Sequence, residues 1–193
     1  MSVLSVAVSS THVFSKSPRD SIRLLAGLGV EGDCHAGVTV QHRSRLHIKP
    51  PPANLRQVHL IHSELFEEVQ KPDAAGVTHA VQPGDLGENI TTAGLDILGM
   101  SEGTLLHFVD SGTDLSMDVD HAIVRVTGLR NPCPQIQKFQ KGLQERCILR
   151  DADRMIVGRK AGIMAVVVAG GEIKKGAKII VQEPESSKAL VCV

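Results

Sequence analysis

The chain has 193 residues, and its 21 Lys and Arg balance its 21 Asp and Glu to a formal net charge of zero. That balance argues against a general nucleic-acid binder, which needs a basic footprint, and the lack of Trp and Tyr, with only four Phe, removes most stacking platforms for bases. Hydrophobic residues at 42% suit one domain with a core of its own, and no apolar run approaches the ~18 residues of a membrane span.

Residues 3–8 are short, β-branched and partly alternating, and read as a first strand. The Ser-rich, acid-free stretch 1–19 has the composition of a mitochondrial transit peptide, yet the strand reading is favoured and the expected location is cytoplasmic. Residues 22–25 form a second expected strand. Residues 29–37 follow as an irregular loop with three glycines in nine residues. Residues 38–54 are polar and basic, end in three prolines and show no core pattern, so they read as a long surface loop. A strand over 57–61 precedes a short helix capped by Ser63, with Leu65, Phe66 and Val69 on one face and Pro72 as its stop. The glycine-punctuated loop 82–90 leads into a strand near Ile90.

Strands are expected over 105–109 and 122–126. Residues 128–134 read as a turn, and 135–141 as one or two helical turns. Residues 143–157 fit no single pattern. A β-branched run between glycines makes 162–168 the clearest strand. A turn over 170–178 and a last strand over 179–181 follow, and 183–193 read as a loose tail. About eight short strands with few helices argue for a barrel or sandwich rather than a doubly wound sheet.

Four segments carry chemistry. Cys133 stands between Pro132 and Pro134, which fix the backbone and set the direction of the sulfur. Arg130 precedes it by three residues, and a nearby cation favours the thiolate that attacks electrophiles, carries a persulfide or ligates a soft metal. The alternative is an inert structural thiol, since free Cys is among the most buried residue types. Asp33, Cys34 and His35 place a carboxylate, a thiol and an imidazole together, and Asp33 with His35 form a pair that fixes the imidazole tautomer, or else Asp33 simply closes a tight turn. No second Cys/His pair stands at finger-like spacing, so this loop does not read as a structural zinc site. Asp85, Glu88 and Asn89 lie on a loop whose glycines let backbone approach an anion, although Asp85 also reads as a turn former and Glu88 as a solvated charge. His42, Arg43, Arg45, His47 and Arg56 form a basic cluster that is either a solvated loop or a phosphate-binding arm.

Taken in order, Gly32-Asp33 with His35 and Gly37, Arg56-Gln57-Val58, the run Pro83-Gly84-Asp85-Leu86-Gly87-Glu88-Asn89 and the run Val126 through Arg130-Asn131-Pro132-Cys133 resemble the MOSC domain, named after the C-terminal domain of molybdenum-cofactor sulfurases. The resemblance covers residues 2–182. It implies a mainly β fold, a closed or partly open barrel of about eight strands with a few short helices, like the pyruvate-kinase barrel. It also implies that Cys133 is the reactive residue, ligating molybdenum held by a pterin in proteins that reduce N-hydroxylated compounds, or relaying sulfur as in the sulfurases. Cys34 departs from the family, where a larger or different residue is common.

Three functions stay open. In the first, the Cys133 thiolate binds the metal of a molybdenum cofactor. Asn89, Glu88, Asp85, Arg130, Asn131, Arg56, Arg45 and Arg43 line the cofactor site, and Asp33 or His35 supplies a proton. In the second, Cys133 carries a persulfide delivered by a cysteine desulfurase, independently of pyridoxal phosphate. In the third, the domain binds a pterin or small anion without catalysis. A small-molecule substrate is expected, with neither nucleic acid nor membrane, in a monomer or homodimer. A reductase needs a separate electron donor, because no ferredoxin-like cysteine set is present.

Overall fold

Seven strands close into a barrel in the computed structural model, which describes residues 1–110 and 121–193. In chain order the elements are β1 (Ser2–Val8), β2 (Ser17–Arg19), β3 (Ser21–Leu25), β4 (Gly29–Val30), β5 (Val58–His62), α1 (Glu64–Gln70), β6 (Ile90–Ala93), β7 (Leu105–Val109) and β8 (Ala122–Leu129). They continue with α2 (Pro134–Phe139), α3 (Leu143–Arg146), β9 (Ile148–Arg150), β10 (Ile156–Arg159), β11 (Ile163–Ala169), β12 (Gly171–Lys174) and β13 (Lys178–Gln182). The barrel runs β13-β7-β8-β11-β5-β6-β1 and closes by pairing β1 with β13, while β2 adds outside β1. Neighbours are antiparallel except β5 and β6, which are parallel with α1 in their connection.

Alternation fills the barrel. Leu106 and Phe108 of β7, Ala122, Val124 and Val126 of β8, and Ile163, Ala165 and Val167 of β11 point inward in one apolar cluster, as a period of two requires when one face is buried. A second cluster packs outside the wall: Ile61, Leu65, Phe66 and Val69 from β5 and α1 meet Leu86, Ile136, Leu143 and Cys147. This outer cluster fixes α2, and with it the residue at the head of α2, Cys133.

Several segments differ from their sequence expectation. β8 runs on through Gly128 and Leu129, where a turn is expected, because both residues pair with β11. Residues 171–174 form β12 rather than a turn, since they find a partner in β3. Ser63 makes no side-chain cap, because its own backbone is already helical and turns the hydroxyl away from the free amides. The tail 183–193 is tied down: Glu102 N–H bonds Lys188 O at 2.8 Å and Leu129 N–H bonds Val191 O at 2.8 Å. The loop 38–54 is clasped at its base by the Thr39–Ala53 bridge and by Asn54, whose side-chain amide donates to His35 O and Gly37 O.

Candidate functional site

Cys133 heads α2 with extended backbone, φ −91° and ψ 162°, and Pro134 occupies the first helical turn. Pro134 fits there because that turn needs no N–H from it. Pro132 is buried, Cys133 half-buried against the outer cluster, and its Sγ lies 3.8 Å from Gln135 Oε1. The sulfur borders a pocket of about 290 Å³ shared by the β1–β2 loop, the loop 38–54, the end of β8 and the head of α2.

Of the titratable and polar residues singled out in the sequence, Cys133, His35, His42, Asn89, Arg130, Asn131, Arg56, Arg45 and Arg43 line this pocket. Arg130 donates its backbone N–H to Gly162 O at 2.9 Å, and burial lowers its guanidinium while the nearby Cys133 and Glu88 oppose that. Among the described residues, neither its buried Nη1 nor the buried Nε of Arg56 has a partner. Burial lowers the Arg56 guanidinium to about 10, and the charges of Arg45 and Arg130 push in the same direction. His42 is pulled down to about 4, first by burial and then by the charges of Arg56, His35, Arg45 and Arg130. It is therefore neutral at pH 7, and the pocket's positive potential comes from arginine. Among the described residues lining it there is no Asp or Glu.

Three expected site carboxylates lie elsewhere. Asp33 is buried behind the wall, its Oδ2 2.6 Å from Lys16 Nζ and 3.0 Å from Asn89 Nδ2, its Oδ1 accepting the His35 backbone N–H at 2.9 Å. Burial would raise its carboxyl, but the bonds from His35 and Lys16 outweigh that and hold it well below the ordinary value. Held ionised, it serves poorly as a proton donor and instead fixes its neighbours, with His35 Nδ1 3.2 Å away. Glu88 is buried too, where Oε1 accepts the Gly84 N–H at 2.5 Å and the Thr91 hydroxyl at 3.1 Å, and burial pushes its carboxyl up. Asp85 closes its own loop through Gln82 N–H at 2.9 Å and does not reach the pocket. Asn89 lines the wall, but its amide bonds Ala7 O and Asp33 and its oxygen accepts the His59 N–H, so its polar groups are engaged within the protein.

Lys16, His12, Phe14, Gln41 and His59 line the pocket without having been singled out in the sequence. Lys16 stands as an isolated cation in a stretch without periodicity, and only its approach to Asp33, 17 residues away, reveals its role. His59 is buried, donates from Nε2 to Ala161 O at 2.9 Å and is held neutral by that burial.

The Lys16–Asp33 pair yields a stability prediction. Asp33→Asn leaves the Lys16 charge buried and unpaired, and is expected to cost about 3–5 kcal/mol. Because the folded carboxyl lies below its ordinary 3.8, the stability it contributes is complete above that pH and falls away as pH drops through and below it. Lys16 is lowered from its ordinary value, chiefly by burial with Asp33 opposing. Urea unfolding between pH 5 and about pH 2.5 should therefore show a shallower acid loss in Asp33→Asn than in the wild type. Parallel curves would remove the ion pair from the account.

The fold and this pocket define a class: a closed β barrel carrying one proline-framed cysteine beside an arginine-lined, acid-free cavity. The MOSC domain model matches residues 35–180, and the chain belongs to the MOSC-domain family. Among solved structures it is similar to YuaD from Bacillus subtilis at 22% identity and TM-score 0.71, covering 95% of this chain and 96% of that one. It is similar to YiiM from Geobacillus stearothermophilus at 15% identity and TM-score 0.61, covering 98% and 78%. YiiM from Escherichia coli matches at 17% identity and TM-score 0.55, covering 98% and 73%. At these identities the likeness is one of fold. No curated protein sequence matches the chain. Among the described residues no helix is long and apolar enough to cross a membrane.

Proposed function

We propose that this protein holds a molybdenum-pterin cofactor between Cys133 and the arginine-lined pocket and reduces N-hydroxylated small molecules with it. The observation that carries this reading is a half-buried thiol sharing a pocket with two arginines whose buried Arg130 Nη1 and Arg56 Nε have no partner among the described residues. Leaving such donors unbonded costs free energy that a bound anion recovers, and arginine presents its fork to phosphate. MOSC domains are associated with the molybdenum cofactor. The donor set fits both of its ends, with a soft sulfur for the metal and guanidinium groups for the phosphate. A volume of about 290 Å³ lies near the lower bound of small-molecule sites.

Once bound, the cofactor supplies the two electrons that cleave an N–O bond. The chain's own residues do the remainder. Cys133 anchors the metal end. Arg130, Arg56 and Arg45 neutralise the anionic end from the wall, while Arg43 and Asn131 sit at the exposed rim. His35, its ring oriented by Asp33, faces the pocket and delivers a proton to the departing hydroxyl, which leaves as water, while the nitrogen takes the second proton from solvent. Electrons come from a separate donor protein.

A second reading rests on the guanidinium of Arg130 beside the sulfur, which stabilises an anionic persulfide as readily as a metal thiolate. Phe14 is the one Phe, Tyr or Trp ring among the described lining residues, so the pocket offers little stacking for a pterin. The deciding experiment is molybdenum and pterin analysis of protein purified from a host that makes the cofactor. About one metal per chain is expected for a one-thiolate site. Metal-free protein that still reduces N-hydroxylated substrate at full rate defeats the first reading. A gain of one sulfur atom on Cys133 after treatment with a cysteine desulfurase, with no metal bound, installs the second.

A further inference from the structure

Cys34 takes no part in the chemistry above, yet the fold surrounds it with imidazoles. His12 comes from the loop after β1 and His35 from the loop after β4. The metal-capable atoms of His12, Cys34 and His35 all lie within 4.8 Å of one another. Cys34 Sγ is 3.2 Å from His35 Nδ1, and the two imidazole rings meet edge to face with centroids 5.2 Å apart. A tetrahedral zinc centre with bonds of about 2.0–2.3 Å sets its ligand atoms roughly 3.3–3.8 Å apart. The cluster needs only a small contraction to reach that spacing, and exposed His12 on its loop is free to supply it.

The surroundings already resemble a metal's outer shell. His12 Nε2 lies 3.0 Å from Gln41 O, and a carbonyl only accepts, so Nε2 carries the proton and Nδ1 keeps the lone pair a metal needs. Asp33 Oδ1 stands 3.2 Å from His35 Nδ1, and a carboxylate only accepts, so Nδ1 carries the proton and Nε2 keeps the lone pair a metal needs. Carbonyl and carboxylate partners of this kind orient ligating histidines in metal sites. One thiolate with two imidazoles is a borderline-soft set that suits Zn²⁺ and disfavours Ca²⁺ and Mg²⁺.

We propose that His12, Cys34 and His35 form a zinc(II) site on the wall of the Cys133 pocket, with its fourth position open to a ligand atom in the pocket. His12 and His35 both line that pocket, and three protein ligands with one open position is the pattern of a zinc site that takes a small molecule. On binding, the cation replaces the Cys34 thiol proton, which passes to solvent. The proposal is independent of the role given to Cys133; with zinc bound, His35 is a ligand, and the proton for the departing hydroxyl comes from solvent in the pocket.

Metal-free full-length protein is titrated with Co²⁺ as the optical probe, then with Zn²⁺ in competition. One equivalent of cobalt should bind with a thiolate-to-metal charge-transfer absorption, and zinc should displace it. Cys34→Ser should abolish that absorption and weaken zinc binding by at least about 100-fold, and His12→Ala by at least about 10-fold. Cys133→Ser should retain both signals. Persistence of the absorption in Cys34→Ser, its loss in Cys133→Ser, or no stoichiometric binding at micromolar zinc overturns the site. If circular dichroism finds Cys34→Ser unfolded, exposed His12→Ala decides the matter, and unchanged zinc affinity in that variant overturns the proposal as well.

Discussion

Cys133→Ser is expected to strip the protein of molybdenum, from about one atom per chain to below about 0.1, and to cut reduction of N-hydroxylated substrate by at least about 10³-fold. The fold should tolerate the change. Cys133 sits half-buried at the rim of the outer apolar cluster, and the swap should cost on the order of 1 kcal/mol, moving the thermal midpoint by no more than about 4 °C. Cys147→Ser supplies the opposite pattern. That thiol is wholly buried in the same cluster, and burial pushes it up to about 11, which makes it an inert space-filler. A hydroxyl in that apolar cluster is stripped of its hydration, so stability should fall by about 1–3 kcal/mol while the folded protein keeps its metal. The two variants therefore separate loss of a ligand from loss of packing. Full metal content in Cys133→Ser, or equal metal loss in both, would show that this sulfur does not hold the group.

The parts of the site legible in the sequence were those contiguous along the chain. Arg130, Asn131 and Cys133 fall in one proline-framed run, and local stereochemistry carries them to the same wall. Lys16 and Asp33 were different. A loop carboxylate reads the same in sequence whether it faces solvent or a buried lysine, and only packing tells the two apart. Glu88 misled for the same reason, its oxygen being taken up by Gly84 and Thr91. The His12–Cys34–His35 cluster could not be found by spacing, because His12 joins it from 22 residues upstream of Cys34 (34 less 12) through the fold rather than through a motif.

Secondary structure followed the same rule. β11 was visible because its residues are continuously apolar and mostly β-branched and follow a glycine. β2 carries Pro18 and is exposed along its length, so nothing in its composition marks it, and it exists because β1 offers an edge. β12 begins at the second residue of a Gly-Gly pair that reads as a turn, yet β3 presents four partners to it. The tail 183–193 lacks a pattern of its own and is held by backbone bonds to Glu102 and Leu129, which no side-chain rule anticipates.

Gly84→Ala is expected to be strongly destabilising, because the loop it belongs to is stacked backbone to backbone on the segment that carries Lys16. Gly84 has φ +93°, and a Cβ built there would lie 2.3 Å from Lys16 O. The same two residues are joined by Lys16 N–H bonding Gly84 O at 2.8 Å, and the Gly84 N–H bonds Glu88. A side chain must therefore adopt a left-handed conformation, at about 1–2 kcal/mol, and also push two bonded backbones apart, at about 1–3 kcal/mol more. Separation of these segments moves Lys16 off Asp33, and with it the support for His35 and Asn89. The expected loss of about 2–5 kcal/mol should appear in urea unfolding together with weakened binding of inorganic phosphate in the pocket. Gly76→Ala isolates the conformational part, because its φ is +77° but a Cβ there meets nothing within 4 Å. It should lose only about 1 kcal/mol and leave phosphate binding unchanged. Equal losses in the two variants would mean that the contact with Lys16 contributes nothing, and that the 82–89 loop positions the pocket by some other means.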